Sequence, residues 1–383
     1  MRMVQSDRSY LAARLVAPRI HDHFADHLEA ARQRGVVLEA FLPDVAAIEE
    51  IIDAAFWASL RREENYVPRI SLAFLPPDHT PHTLRFEHSL PLSATALTRV
   101  SPAVERAGIH LGVWRDQGEL RVWGATRAVP ALCFVLEVSA PGLLVVKHHR
   151  GNDTGKFVNV AVLEGDQIKV VDERATSLPD CPHLLTSLLG FDSPSSWAES
   201  LNVLVQLAVS MRAHGRGGLL LVVPAGSEGW RDSIVRPVAY GLDPPFTRLV
   251  ALMGDYPGED LEKPWREAVD RAVDVIAGLT AVDGAAVLTD RYELLAFGAK
   301  IMRRKGGQPV ERVTLTEPIE GSVAVVVPPT QLGGTRHLSA AQFIQDQKDG
   351  LALVASQDGR FTVFAWSPCD NIVHAHRVDT LLL

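Results

Sequence analysis

The stretch Asp283-Gly284-Ala285-Ala286-Val287-Leu288-Thr289 sets a carboxylate and a glycine directly before an unbroken apolar run. A run this short, introduced by a turn dipeptide, is the pattern of a strand buried on both faces. Working outward, Trp265 to Thr280 carries apolar residues at helical spacing, and Trp197 to Ala213 does the same. Between those helices lies the apolar strand Gly218 to Val223. Downstream, Glu293 to Lys300 and Ser322 to Val327 read as strands and Ser339 to Gln347 as a helix. Gly350 to Ala355 and Arg360 to Ala365 are strands again. Helices and buried strands in this order predict an α/β domain with a central mixed sheet flanked by helices.

The first half reads differently. Helices are predicted from about Asp7 to Arg34 and Asp44 to Arg62, the second with Val45, Ile48, Ile51, Ile52, Ala55 and Phe56 in one stripe. Seven strands follow: Arg69–Leu75, Leu111–Trp114, Glu119–Trp123, Ala131–Val138, Leu143–Lys147, Val158–Val162 and Gln167–Val171. Gln117-Gly118, Pro141-Gly142 and Glu164-Gly165-Asp166 between them are hairpin signals. This is an α+β domain with a largely antiparallel sheet. Between Ser177 and Ser196 the composition loosens into prolines and serines, which places the boundary there. The expected domains are 1–185 and 196–383.

A formal net charge of −8 argues against broad, sequence-independent binding of nucleic acid. Cys133, Cys181 and Cys369 are far apart with no Cys-x-x-Cys, so reduced, mostly buried thiols are expected. The start has no apolar signal core and the longest apolar runs are too short to span a bilayer. A cytoplasmic protein that does not use a membrane is the expectation.

Two motifs carry chemistry. Asp283-Gly284 alone is a common turn, but its place before a buried strand suits a metal ligand or a group orienting a hydroxyl. Gly333-Gly334-Thr335-Arg336-His337 offers glycine backbone, a hydroxyl, a guanidinium and an imidazole ahead of a helix. Backbone N–H groups, the helix's positive end and a bidentate guanidinium all suit phosphate. A capped helix start with an exposed Arg is the plainer alternative. Gly215-Arg216-Gly217-Gly218 reads as a helix-to-strand turn, and Arg303-Arg304-Lys305 as a solvated loop. Gly151 to Phe157 fails as a P-loop, with three residues between its glycines and Phe157 where Ser or Thr is needed. His21, His23 and His27, like His374 and His376, lack Cys or acidic ligands at matching spacing and read as surface histidines.

In order and spacing, these residues resemble a diadenylate cyclase domain, the module that makes cyclic di-AMP from two ATP. The resemblance rests on Gly217-Gly218-Leu219-Leu220-Leu221-Val222-Val223, Asp283-Gly284-Ala285, and Gly334-Thr335-Arg336-His337 with Ala340-Ala341 beyond. Ser356-Gln357-Asp358-Gly359 stands where the family has an acidic turn between two strands. The first half, at Trp57 to Glu64 and the strands after it, resembles DACNV, a probable sensor domain that precedes some cyclase domains. Two positions depart from the cyclase pattern: Leu338 replaces the arginine after His, and Gln357 replaces the first acid of the turn.

The resemblance implies two ATP-loaded protomers face to face, so a homo-oligomer, with ATP or a related nucleotide as substrate. Asp283, Arg336 and His337 would be catalytic. Gly284, Ala285, Gly334, Thr335 and Ser339 would bind the nucleotide, and Asp283 with Asp358 would hold Mg²⁺ or Mn²⁺. Leu338 and Gln357 leave open a binding module that has kept recognition and lost turnover.

Overall fold

The computed structural model describes residues 9–33, 35, 40–62, 66–79, 83–106, 108–149, 157–172, 203–255 and 262–383. The chain divides into two compact units, Met1–Val171 with Leu383, and Asp172–Leu382. The boundary expected at Ser177–Ser196, the segment Gly151–Lys156, the first residues of the helix expected from Trp197, and Cys181 all lie outside the described residues.

The first unit contains helices α1 (Leu11–Gln33), α2 (Val45–Ser59) and α3 (Ala94–Val104). Its strands are β1 (Ile70–Phe74), β2 (Leu84–Pro91), β3 (His110–Asp116), β4 (Glu119–Thr126), β5 (Phe134–Ala140), β6 (Leu143–His149), β7 (Phe157–Glu164) and β8 (Gln167–Val170). They form one mixed sheet in the order β2-β4-β3-β1-β5-β6-β7-β8, with β1 and β3 parallel and the other neighbours antiparallel. Period-two alternation sorts the strand residues by face. Ile70, Leu72, Phe134, Leu136, Leu144 and Val146 pack with Val16, Ile20 and Phe24 of α1 and Ile48 and Ile52 of α2. The opposite face carries a smaller cluster around Trp123, Cys133 and Val135. Asp44 starts α2 by accepting the Ala47 N–H at 2.8 Å, and the same carboxylate receives Arg115 at 2.7 Å.

The second unit contains α4 (Val203–Ala213), α5 (Arg248–Gly254), α6 (Glu262–Leu279) and α7 (Thr335–Asp346). Its strands are β9 (Gly218–Val223), β10 (Tyr240–Phe246), β11 (Ala285–Thr289), β12 (Leu294–Ala299), β13 (Val313–Thr316), β14 (Val325–Val327), β15 (Leu351–Ala355), β16 (Phe361–Ser367) and β17 (Ile372–Arg377). The sheet order is β10-β12-β11-β9-β15-β16-β17-β13-β14, mixed, with β9–β11 and β13–β17 parallel. Every residue of β9 and β11 is buried, as an apolar run covered on both faces requires. Leu220, Val222, Ala286 and Leu288 pack against α4 and α6. Leu219, Leu221, Val223, Ala285 and Val287 pack against Ala340, Ala341, Phe343 and Ile344 of α7. The unit is a three-layer α/β arrangement.

Several expectations need correction. The last helix begins at Thr335, four residues before Ser339, because Gly334 takes an extended N-cap conformation and Thr335-Arg336-His337 form the first turn. β2, α3, β10, α5, β13 and β17 were not anticipated. β2 and β10 are largely exposed edge strands without clean alternation, and β10 carries two prolines. Cys369 is exposed, whereas Cys133 is buried. His23 and His27 are not simple surface histidines: both are half-buried and approach His148 at the end of β6. His374 and His376 are likewise buried within the sheet, on β17.

Candidate functional site

The site of interest is built at one end of the second sheet. The parallel register Ala286↔Leu220 and the antiparallel register Ala355↔Gly218 bring three chain ends to the same edge. These are the segments that lead into β9 and β11 and the segment that leaves β15. Asp283-Gly284 precedes β11, Arg216-Gly217 precedes β9, and Ser356 to Gly359 is the turn from β15 into β16. α7 packs across the sheet so that its first turn reaches this edge.

Asp283 presents a side chain that is 90% exposed, and it accepts a hydrogen bond from the Lys300 ammonium. Lys300, first through that bond and also through its charge, holds the carboxyl below the usual range; Arg336 adds to the effect. Gly284 is conformationally required. Its φ is +115°, and a Cβ there would lie 2.5 Å from the Gly298 carbonyl carbon, a backbone atom of the neighbouring strand. The glycine thus lets Asp283 sit tight against the β11–β12 pair.

Arg336 reaches back from α7 toward the turn before β9. A Cβ on Gly217 would stand 2.8 Å from its Nη1, so the absent side chain is the space the guanidinium uses. The turn predicted at Gly215–Gly218 is therefore also a wall of the site. Arg336, far from Asp283 in sequence, adds to the lowering of the Asp283 carboxyl pKa.

His337 is 3% exposed, with Nε2 3.5 Å from Thr362 Oγ1 and its ring edge-on to Phe364. Burial, aided by the positive charges of Arg377 and Arg360 and opposed by Asp358, pushes its imidazole down to about 4. It is a neutral ring at physiological pH and adds no positive charge to the site.

A cleft of about 320 Å³ is lined by Leu332, Gly333, Gly334, Thr335, Arg336, His337 and Ala355 to Asp358. Of the residues expected at the site, Gly334, Thr335, Arg336, His337 and Asp358 line this cleft. Asp283 and Gly284 flank it through Arg336 rather than lining it. Ala285 is turned into the core beneath α7 and offers no side-chain contact, and Ser339 is one turn further along the helix. Asp358 lies 3.5 Å from Arg360 Nε, and Gln357 Nε2 donates to the Arg216 carbonyl at 3.4 Å. Leu338 is 41% exposed.

Magnesium bound together with substrate phosphates calls for one or two carboxylates, and Asp283 supplies one exposed carboxylate here. Lys300 competes for one of its oxygens. The sequence reading missed Lys300, and the hairpin register gives the signal for it. Ala285 pairs with Ala299, which puts Lys300 beside the residues just before β11.

Residues 38–127 match the probable sensor domain DACNV. The DACNV match covers α2, α3 and β1 to β4, ends at Arg127 just after β4, and stops short of the cleft in the second unit. A solved structure described as a hypothetical membrane spanning protein from Bacillus cereus is similar over 49% of this chain and 67% of its own. At 18% identity and a TM-score of 0.25, that likeness supports no argument. No curated protein matches the chain. Among the described residues no helix is long and apolar enough to cross a membrane.

Proposed function

We propose that the second unit is a diadenylate cyclase-type nucleotidyltransferase that condenses two ATP into cyclic di-AMP or a related cyclic dinucleotide. The half containing DACNV would regulate it. The observation that carries this reading is the approach of Arg336, on the first turn of α7, to Gly217, at the end of the sheet where Asp283 leads into β11. A phosphate-binding guanidinium thereby lines a cleft at a helix N-terminus, and Asp283 would supply the anionic hydrogen-bond acceptor beside it.

In this reading each protomer of a face-to-face dimer binds one ATP. The 3′-oxygen of each ribose forms a bond to the α-phosphorus of the other nucleotide while the bond to pyrophosphate breaks and the hydroxyl proton is released. Two such steps yield one cyclic product and two pyrophosphates. Asp283, ionised at neutral pH, orients the attacking hydroxyl by accepting its hydrogen bond. Arg336, with the N–H groups that follow Gly334, offsets charge on the phosphates. Thr335 offers its hydroxyl to the same groups. His337, neutral and buried, acts as a donor or acceptor that shapes the cleft floor. Mg²⁺ or Mn²⁺ held by Asp283 and the phosphates, with Asp358 in support, would neutralise phosphate charge.

Incubation with ATP and Mn²⁺ followed by mass spectrometry tests the reading. A cyclic dinucleotide that disappears in Asp283→Asn supports it. No product at high protein concentration, with Asp283→Asn behaving as the parent, rejects it.

A second reading has its own support. Leu338 stands exposed where the cyclase pattern has a phosphate-binding arginine, and Gln357 uses its amide to hold the Arg216 carbonyl. These features favour a nucleotide or cyclic-dinucleotide binding module without turnover. Calorimetric binding with no product would select it.

A further inference from the structure

We propose that His23, His27 and His148 form a binding site for a transition-metal dication, with zinc the best fit. The site lies in the first unit and does not depend on the nucleotide reading. His23 and His27 are four residues apart on α1, so their side chains share one helix face. His148 follows Leu144 and Val146 at period two on β6, which turns it toward the same helices that those two residues cover. One candidate ligand nitrogen from each ring lies within 4.8 Å of the others. The ring centroids of His23 and His27 are 4.4 Å apart, and those of His27 and His148 are 5.5 Å apart.

Zinc–imidazole bonds of about 2.0–2.1 Å place tetrahedral ligand nitrogens roughly 3.4 Å from one another. The rings therefore need to close by at most about 1.5 Å, within the reach of small rotamer changes at the half-buried His23 and His27 beside the buried His148. Three imidazoles and no carboxylate disfavour calcium and magnesium, which take oxygen ligands, and suit zinc, copper or nickel. Three protein ligands also leave a fourth position open to water or a small anion, as in non-structural zinc sites.

The location gives the site a consequence. α1 precedes the DACNV match at 38–127 and β6 lies beyond it, so an ion there would tie together one element before the match and one after it. Binding that favours the folded state would raise the stability of the unit that carries DACNV, and it offers that unit a chemical input of its own.

The test uses the untagged full-length chain, stripped with a chelator and titrated with Zn²⁺ and with Co²⁺, followed by calorimetry and visible absorption. One ion per chain, a tetrahedral cobalt spectrum and a raised melting temperature are expected. His27→Gln and His148→Gln should each weaken binding by more than about 100-fold, beyond what loss of an outer partner costs. His21→Gln, whose ring instead contacts the Pro43 carbonyl at 3.1 Å, should leave it unchanged. His27 sits on a half-buried helix face, so its variant keeps the test sound if the His148 variant misfolds. Absence of saturable one-to-one binding overturns the proposal. So does parent-like affinity in the His27 variant.

Discussion

Lys300 donates to the Asp283 carboxylate and, with Arg336 also contributing, holds it below the usual carboxylate range. The pair crosses the β11–β12 register at the edge where Arg336 arrives from α7. Asp283 is therefore ionised wherever the protein meets physiological pH, and its negative charge is shared between a lysine and any incoming ligand. Lys300→Gln removes the larger influence, so the Asp283 pKa should rise toward the ordinary value. The acid limb of metal-dependent nucleotide binding should move to higher pH with it. A pH series of binding isotherms, parent against variant, reads the shift.

Arg336 is predicted to act through its fork and not only through its charge. Arg336→Ala should lower nucleotide turnover by about 100-fold or more. Arg336→Lys should recover little, because an ammonium cannot make the bidentate contact and would not fill the space above Gly217. Initial rates and affinities for the two variants decide the point.

Gly284→Ala tests the local backbone. Positive φ and a 2.5 Å approach to the Gly298 carbonyl carbon both oppose a side chain there, and the obstacle is backbone rather than a movable side-chain end. The substitution should destabilise the chain by at least about 1–3 kcal/mol, seen as a lower urea midpoint, and should displace Asp283.

His337 is one of several buried histidines that make stability depend on pH. Its folded-state pKa of about 4 lies below the ordinary 6.5, so the unfolded chain binds the proton first as pH falls. The neutral ring contributes fully above about pH 6.5, and that contribution is lost as pH drops from there toward 4. His110 is displaced to about 4 as well, chiefly by burial, and acts in the same direction. His337→Gln should flatten the slope by an amount on the order of 1–3 kcal/mol across that window, measured by denaturation at several pH values.

The layers of the second unit were legible because their determinants are local. Gly218 to Val223 and Ala285 to Thr289 are apolar at every position, and burial on both faces is the only setting that suits them. The exposed edge strand β10, with its two prolines, and β17, whose alternating His374 and His376 interrupt the apolar pattern, gave no such signal. At the site, Asp283 and Arg336 were singled out from residue type near glycine, and of the two Arg336 lines the cleft. Lys300 was not singled out, because its relation to Asp283 is a matter of hairpin register. Ala285 was expected to meet the ligand, yet strand alternation turns it into the core under α7. His148 escaped notice for the same reason: it becomes a neighbour of His23 and His27 only once β6 is laid beneath α1.

Leu338 and Gln357 bear on whether the cleft turns over its ligand. Leu338 is exposed, so Leu338→Arg should cost little stability. Combined with Gln357→Glu, it should raise turnover by roughly 10-fold or more if charge compensation is what limits the parent. Product formation measured under identical loading tests this.

The most direct measurement of the central claim is a double-mutant cycle between Asp283→Asn and Arg336→Ala, read as affinity for ATP with Mn²⁺. Convergence on one nucleotide predicts that the two losses fail to add, with a coupling well above the roughly 0.3–0.5 kcal/mol scatter of independent sites. Losses that add within that scatter would show the two residues serving separate surfaces and would contradict the account.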